Sequence, residues 1–305
     1  MYHFIINPAS STGNGRKIWN KVEQVLIDTH TEYTAYLTDG ADSARRLAET
    51  ITAGGEQRFI VVLGGDGTIN EVLTGIQDYS KVTFGYIPTG SSNDFARDLK
   101  LESRPEQAIR NILNPKEYAR LDIGCIEYGD TKKNFGVSIG IGYDAAICHE
   151  ALASRIKYYL NRIHLGKLIY VIIALKQLFR TKCHSCDVIL DDTQKLHFDD
   201  YLFVTAMIHK YEGGGFMFCP KADYSDGLLD ICTINHISKA KVLMMLPTAY
   251  NGNHVKFKGI RTYQAKKVKI ITDAPAPVHA DGESCKLQKE IAVSIDPNQL
   301  KMILR

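Results

Sequence analysis

Asp66 stands inside a run of glycines, Leu63-Gly64-Gly65-Asp66-Gly67-Thr68-Ile69-Asn70-Glu71. Three glycines let backbone N–H groups approach a ligand closely, and the start of a following helix favours an anion. That is phosphate-binding chemistry. A carboxylate in such a loop would repel phosphate unless a cation or a proton donor stood between them. A second segment, Pro88-Thr89-Gly90-Ser91-Ser92-Asn93-Asp94-Phe95-Ala96-Arg97, offers hydroxyls and an amide suited to phosphate or a hydrated metal ion, and adds Asp94. Its Ser-Asn-Asp run would also serve as a helix N-cap; both uses can hold, because both draw on the same exposed N–H groups. Leu121-Asp122-Ile123-Gly124 places a third carboxylate within an apolar strand, where burial is costly unless the group is paired or metal-bound.

Two acidic turns follow later in the chain. Asp223 to Leu228 combines two aspartates with a glycine; mixed carboxylate and carbonyl oxygens suit a hard cation such as magnesium. An ordinary Asp-Gly turn between strands explains the same residues. Asp281-Gly282-Glu283 has the same bland explanation, which accounts for the glycine and leaves Glu283 without a task.

These residues need elements to position them. Arg58 to Val62 is a short β-branched run that reads as a buried strand, and Ile69, Val72, Leu73 and Ile76 fall at the spacing of a helix with one buried face. The order around Asp66 is therefore strand, glycine turn, helix. Tyr2 to Asn7 reads as a first strand, running into the small and glycine-rich Asn7-Pro8-Ala9-Ser10-Ser11-Thr12-Gly13-Asn14-Gly15, followed by Arg16 and Lys17. That segment would wrap a phosphate or merely join a strand to a helix. Ile18, Val22, Val25 and Leu26 mark the helix; Tyr33, Ala35 and Leu37 mark a second strand ending at Thr38; Ala44, Leu47, Ala48 and Ile51 mark another helix. Val82 to Ile87 is the next strand, and Ser103 to Leu113 a short helix with Glu106 placed for a capping box. Strands alternating with amphipathic helices imply βαβ units and a parallel sheet, whose carboxyl-end loops form the ligand crevice. The loops after Ile6, Leu63 and Ile87, with Thr38, gather at that edge.

Beyond Phe135 the pattern changes. Phe135 to Ile141, Tyr201 to Ile208, Leu229 to Ile234, Val268 to Ile271 and Ile291 to Ile295 read as strands, with helices mainly over Asp144 to Phe179 and Ser238 to Tyr250. Strands without regular intervening helices suggest an antiparallel sheet or sandwich, placing a boundary near Asp122. Gln299 to Leu304 reads as a strand returning to the first domain. Leu165 to Phe179 is apolar almost all round and reads as a core helix, or as a wall that meets lipid. Tyr211-Glu212-Gly213-Gly214-Gly215-Phe216 reads as a flexible loop that shapes an acceptor pocket, or as an exposed bulge.

Composition sets the outer limits. The 305 residues suffice for one large or two ordinary domains, 45% are hydrophobic, and a net charge of +3 is too small to argue for nucleic acid. Such a charge leaves weak attraction to an anionic membrane open. No signal peptide is visible, and the longest apolar run, Leu168 to Leu175, is far short of a span. Seven cysteines, an odd number, suggest reduced thiols in the cytoplasm. Cys183-His184-Ser185-Cys186 has half of a zinc-site spacing, with no second pair at a suitable distance.

The Gly64-to-Glu71 motif resembles the nucleotide loop shared by diacylglycerol kinases, NAD kinases and 6-phosphofructokinases. Pro88 to Arg97 narrows the resemblance to the diacylglycerol kinase catalytic family, which includes soluble bacterial lipid kinases. Asn7-Pro8, Leu121 to Gly124, Pro220 to Leu228 and Asp281-Gly282-Glu283 match in order, so the resemblance covers nearly the whole chain. It implies an α/β parallel-sheet nucleotide-binding domain over residues 1–122, completed by 297–305, and a mainly antiparallel β-sandwich domain over 123–296. ATP and the acceptor alcohol would meet in the cleft between them. It implies ATP contacts at Asn7, Pro8, Ala9, Ser10, Ser11, Thr38, Gly65, Asp66, Gly67, Thr68, Ile69, Asn70, Glu71, Thr89 and Asn93. Asp66, Asp94 and Asp122 would organise a catalytic magnesium, largely through waters. A structural magnesium would take the Asp226 side chain and the carbonyls of Asp223 and Leu228, and Glu283 would be the catalytic base. The first loop departs from the family in being longer than a Ser-Gly turn, which leaves Arg16 and Lys17 without an assigned phosphate. Diacylglycerol leads as acceptor, with phosphatidylglycerol and sphingoid bases behind it. An NAD kinase and a nucleotide-sensing protein without catalysis are the competing readings. Peripheral membrane contact during catalysis is expected, and a homodimer is compatible with the sequence.

Overall fold

The computed structural model describes residues 1–90, 92–153, 166–181 and 184–305; Ser91, Leu165 and Cys183, each part of a segment read above, lie outside them. The chain divides into two compact units. One comprises Met1–Ile123, Tyr224–Asp226 and Asp296–Arg305, the other Gly124–Asp223 and Gly227–Ile295.

The first unit contains β1 (Tyr2–Ile6), α1 (Ser10–Gly13), α2 (Gly15–Asp28), β2 (Tyr33–Leu37), α3 (Ser43–Thr52), β3 (Arg58–Gly64), α4 (Asp66–Gly75), β4 (Val82–Pro88), α5 (Asp94–Asp98), α6 (Pro105–Leu113) and β5 (Tyr118–Leu121). The late strand β15 (Leu300–Ile303) completes a six-stranded sheet in the order β2-β1-β3-β4-β15-β5. Pairing is parallel from β2 through β15, and only β5 runs antiparallel, against β15. The β-branched run of β3 is central in this order and wholly buried from Ile60 to Leu63, as a strand covered on both faces must be. Trp19, Val22, Val25 and Leu26 of α2 pack with Phe4, Ile6, Val61 and Leu63, and Ile109 and Ile112 of α6 join the same core.

Two local expectations are corrected in this unit. Ser103 does not cap α6: Arg104 holds that position with no side-chain cap, Pro105 starts the helix, and Glu106 pairs with Lys21 at 3.2 Å. Proline's fixed φ suits the first helical position and moves the start past the serine. Asp122 is not within a strand but in the break between β5 and β6 (Gly124–Tyr128), where its backbone N–H donates to the Tyr224 carbonyl at 2.7 Å.

The second unit adds β7 (Thr131–Phe135), β8 (Ser138–Gly142), α7 (Tyr143–Ala153), α8 (Gly166–Arg180), β9 (His184–Leu190), β10 (Gln194–Met207), β11 (Leu229–Asn235), α9 (Lys239–Ala249), β12 (Ile260–Ala265), β13 (Lys267–Ala280) and β14 (Glu283–Ile295). Its nine strands run β12-β11-β10-β8-β13-β14-β6-β7, and β9 also pairs β10 and β13. Every pairing is antiparallel. β10 and β13, of 14 residues each, extend well beyond the Tyr201 to Ile208 and Val268 to Ile271 runs read from the sequence. Register shifts at Phe198/Tyr201 and Ile271/Ala276 divide them, so each meets β9 over one part and β8 over the other. The α/β-plus-β reading of the sequence therefore holds.

The core-helix reading of Leu165 to Phe179 is corrected over α8. Ile173 and Leu178 are buried, but Ile172, Leu175 and Phe179 face solvent. The helix packs on α7, where the Tyr143 hydroxyl donates to the Ala174 carbonyl at 2.8 Å and Lys176 pairs with Glu150, and Leu178 joins a core cluster with Leu202, Phe203 and Val242. Tyr211 to Phe216 is a closed turn rather than a free bulge. Glu212 and Phe216 exchange backbone hydrogen bonds at 2.9 and 3.0 Å, and the Phe216 ring stacks on Tyr250.

Candidate nucleotide site and acidic turns

In the first unit, the ladder continues past the strand ends into the loops. Asn7 N–H donates to the Leu63 carbonyl at 2.8 Å, Thr38 N–H to Ile6 at 2.9 Å, and Thr89 N–H to Gly64 at 2.7 Å. Three loops are thereby fixed side by side at the carboxyl edge of the sheet. Side chains then tie them together: Asn7 Nδ2 donates to Thr68 Oγ1 at 3.1 Å, and the Ser10 and Thr89 hydroxyls share a bond of 2.8 Å. The two glycine loops touch. A Cβ on Gly65 would stand 3.1 Å from Gly90 Cα, and one on Gly90 would stand 2.7 Å from Gly65 Cα. The expected loop after β1 is in fact mostly helical, since Ser10–Gly13 form α1 and Gly15 starts α2. Gly15 is required there, because a Cβ would overlap the Asn7 carbonyl. Arg16 and Lys17 are exposed on the first turn of α2.

Asp66 is the first residue of α4, with Gly65 as its N-cap, so the carboxylate lies at the positive end of the helix. Its Oδ2 accepts the Asp94 backbone N–H at 3.3 Å, which brings the second motif onto the first. Asp94 is buried, at 5% exposure, with Arg97 Nε 3.9 Å from its Oδ1. Asn93 has a left-handed backbone, φ 49°, and does not cap α5 through its side chain. Its amide instead clasps Gly90, accepting the N–H at 2.9 Å and donating to the carbonyl at 2.8 Å. The Tyr86 hydroxyl under this loop donates to the Gly64 carbonyl at 3.1 Å. Burial, reinforced by the Asp66 charge, pushes its pKa well up and keeps it a donor.

The remaining expected ATP residues divide by what occupies them. Gly67, Thr68, Ile69 and Asn70 follow Asp66 in α4; Ile69 points into the core, so any ligand contact from it is through backbone. Both Glu71 carboxylate oxygens accept backbone N–H groups at the start of α3, from Asp42 and Ala44, each at 3.0 Å. Asp122 is almost fully buried, and its Oδ1 accepts the Gln299 amide at 2.8 Å. Gln299 also donates to the Ser225 carbonyl at 3.2 Å, so the turn that carries Asp226 is stitched to Asp122. Gly227 takes φ +73°, and Asp223 and Asp226 are exposed beside it. The donor set of this turn, carboxylates and carbonyls, is the hard-oxygen chemistry magnesium prefers.

In the second unit, Glu283 opens β14 directly after a two-residue turn. Asp281 and Gly282 have φ of 50° and 81°, the pair of positive values that a tight hairpin demands. The Asp281 carboxylate accepts the backbone N–H groups of Gly136, Val137 and Ser138 at 2.7, 2.8 and 2.9 Å. Sequence reading missed the neighbours of this turn: Asp144, Glu212 and His279 meet although Asp144 and His279 are 135 residues apart. No local spacing announces such a cluster. Cys186 is buried in β9, and burial pushes its thiol up to about 12.

A parallel sheet with two touching glycine loops at its carboxyl edge is an arrangement suited to holding phosphate. Comparison with known proteins gives the family. Residues 1–126 match the model of the diacylglycerol kinase catalytic domain, and residues 137–304 match the YegS C-terminal NAD kinase beta sandwich-like domain. The chain is 30% identical over 291 residues to a diacylglycerol kinase of Mycobacterium tuberculosis, covering 94% of this chain and 90% of the relative. It belongs to the diacylglycerol kinase catalytic-domain family. A crystal structure of a diacylglycerol kinase from Bacillus anthracis has the same fold, with a TM-score of 0.72 at 19% identity over 100% of this chain and 96% of the other. An NAD kinase of Archaeoglobus fulgidus in complex with ATP is more distant, with a TM-score of 0.55 at 15% identity over 99% and 93%.

Proposed function

We propose that the protein transfers the γ-phosphate of ATP to the hydroxyl of a lipid alcohol, diacylglycerol in the first place, giving phosphatidic acid. The observation that carries this reading is the contact of the Gly64–Thr68 and Gly90–Asp94 loops over the start of α4. Their N–H groups suit the phosphates, and the Ser10–Thr89 hydroxyl pair closes the same edge. Magnesium fits the hard-oxygen donor set of Asp66, Asp94 and Asp122; when bound it would neutralise the phosphate charge that these carboxylates would otherwise repel. A second magnesium would be held at Asp226 with the Asp223 and Leu228 carbonyls. Glu283, held at the mouth of its hairpin, would take the proton of the attacking hydroxyl. The exposed apolar residues Ile172, Leu175 and Phe179 of α8, with Leu243 and Met244 of α9, support peripheral contact with the membrane that supplies the acceptor.

The test is purified protein with labelled ATP and magnesium against diacylglycerol, phosphatidylglycerol, sphingosine and NAD in parallel. Label in phosphatidic acid is the expected result. Transfer to NAD alone would replace this reading.

A further inference from the structure

Asp144 of α7, Glu212 of the closed turn and His279 of β13 each place one polar atom within 4.8 Å of the others. His279 is fully buried, with Nε2 2.9 Å from Glu212 Oε1 and 3.3 Å from Asp144 Oδ2. Its other nitrogen, Nδ1, accepts the backbone N–H of Gly282 at 3.2 Å. A ring nitrogen that accepts an N–H carries no proton, so Nε2 holds the ring hydrogen and donates it to the carboxylates. Burial lowers the His279 pKa while Cys148, Glu212 and Asp144 raise it, with a net upward direction. A second proton on Nδ1 would nonetheless point at the Gly282 N–H, and the geometry selects the neutral ring. A metal ion would need a bare Nε2. This tautomer does not offer one.

What the cluster does instead is mechanical. Gly282 lies between Asp281 and Glu283, and the turn they form is held from two sides. Asp281 takes three N–H groups at the start of β8, and His279 takes the N–H of Gly282. The ring cannot swing, because Nε2 is caught between two carboxylates from separate elements. Glu212 is itself fixed by the paired backbone bonds of its turn. Gly140 of β8 leaves the space that this requires: a Cβ there would overlap Asp144 Oδ2 and stand 2.6 Å from His279 Nε2. Among the described residues, Glu212 Oε2 is buried without a hydrogen bond, an expense that a merely packed glutamate would avoid by turning to solvent.

We propose that His279, steered by Glu212 and Asp144, is a positioning residue for Glu283: it locks the Gly282 peptide so that the next carboxylate leaves the hairpin at one fixed angle. The proposal rests on the reading of Glu283 as the base. The test uses the full chain in two assays, turnover with dioleoylglycerol micelles, labelled ATP and magnesium, and amide exchange of Gly282 in nitrogen-15-labelled protein. His279→Asn keeps an acceptor for Gly282 but cannot reach the carboxylates; His279→Gln keeps the distal donor and offers Gly282 nothing. H279Q should speed Gly282 exchange about tenfold and lower kcat by roughly ten- to a hundredfold, the scale of a misplaced catalytic group, with KM for ATP nearly unchanged. H279N, which keeps an acceptor for Gly282 but loses the carboxylates that hold it, should recover part of both. Equal behaviour of the two variants would reduce the cluster to packing, and Zn2+ or Mn2+ bound one-to-one by the wild type but not by H279N would make it a metal site; either overturns the proposal. Should H279Q not fold, E212Q decides, because it leaves the ring acceptor and loosens its hold: Gly282 exchange and kcat both at the wild-type level would overturn the proposal. E283Q separates the two readings. If E283Q retains turnover, the base assignment falls whatever His279 does; if E283Q loses turnover and H279Q keeps it, only the positioning role falls.

Discussion

At Asp66 one carboxylate holds two loops together and is also the group proposed to face the metal. The carboxylate lies at a helix N-terminus and accepts the Asp94 N–H, so it is stabilised locally by partners that also bring the second loop into place. Removing it as Asp66→Ala should cost more activity than Glu283→Gln, because it would take away the charge proposed to face the metal together with the link between the loops. General-base help is typically worth about 10²–10⁴ in rate, so E283Q should lower kcat by that order and leave ATP affinity intact. Steady-state kinetics with ATP titration reads both. Near-normal turnover in E283Q would remove the base, and full magnesium-dependent activity in D66A would remove the account of the loop. Glu71 shows the limit of carrying a motif over whole. It stands inside the glycine-loop match, yet both of its oxygens take backbone N–H groups at the start of α3.

At the scale of elements, the β13–β14 hairpin is the informative case. An Asp-Gly pair followed by a β-rich segment predicts a tight turn, and the two positive φ values agree with it. That bland reading and the proposed one are compatible, because the turn that the backbone demands is also the one that would present Glu283. Asp281 is then a structural residue of weight. Asp281→Ala strands three backbone donors, and a loss of about 2–4 kcal/mol of unfolding free energy is expected from denaturant titration, given that each unmet buried donor costs of order 1 kcal/mol or more. A change within half a kcal/mol would mean that water replaces the carboxylate without cost. Asn93 and Ser103 teach the complementary lesson. Both look like helix caps, but Asn93 clasps Gly90, and Pro105 starts α6 beyond Ser103. Cap propensity is a local preference of about a kcal/mol, which a loop contact or a proline readily overrides.

At the scale of the whole molecule, no helix among the described residues is long and apolar enough to cross a membrane. The lipid contact proposed above is at the surface. Phe179 is 66% and Met244 63% exposed, and Lys239 sits over the Phe179 ring while donating to its backbone carbonyl. These are large apolar groups beside cations, as a face meeting anionic lipid requires. The double change F179E and M244E should weaken co-sedimentation with phosphatidylglycerol vesicles at least about tenfold, since burying each such side chain is worth about 1.5–3 kcal/mol, while activity on a short-chain soluble acceptor stays unchanged. Unaltered vesicle binding would place the membrane face elsewhere.

What the sequence determined by itself was the alternation of strands and helices in the first half, the sheet edge where the glycine loops gather, and the strand-rich second half. These follow from periodicity and from the backbone demands of glycine, both properties of neighbouring residues. The motif order was enough to identify the family. Tertiary structure alone decided which side chains are spent on the fold. It put Asp122 in a break between strands, under Gln299 and beside Tyr224, more than a hundred residues away in sequence. It left one side of α8 open that composition had filled with core, because a uniformly apolar helix does not state which side its neighbour will cover. It also closed Asp144, Glu212 and His279 into one cluster behind the Glu283 turn. Such contacts depend on how distant elements pack, and no spacing along the chain encodes them.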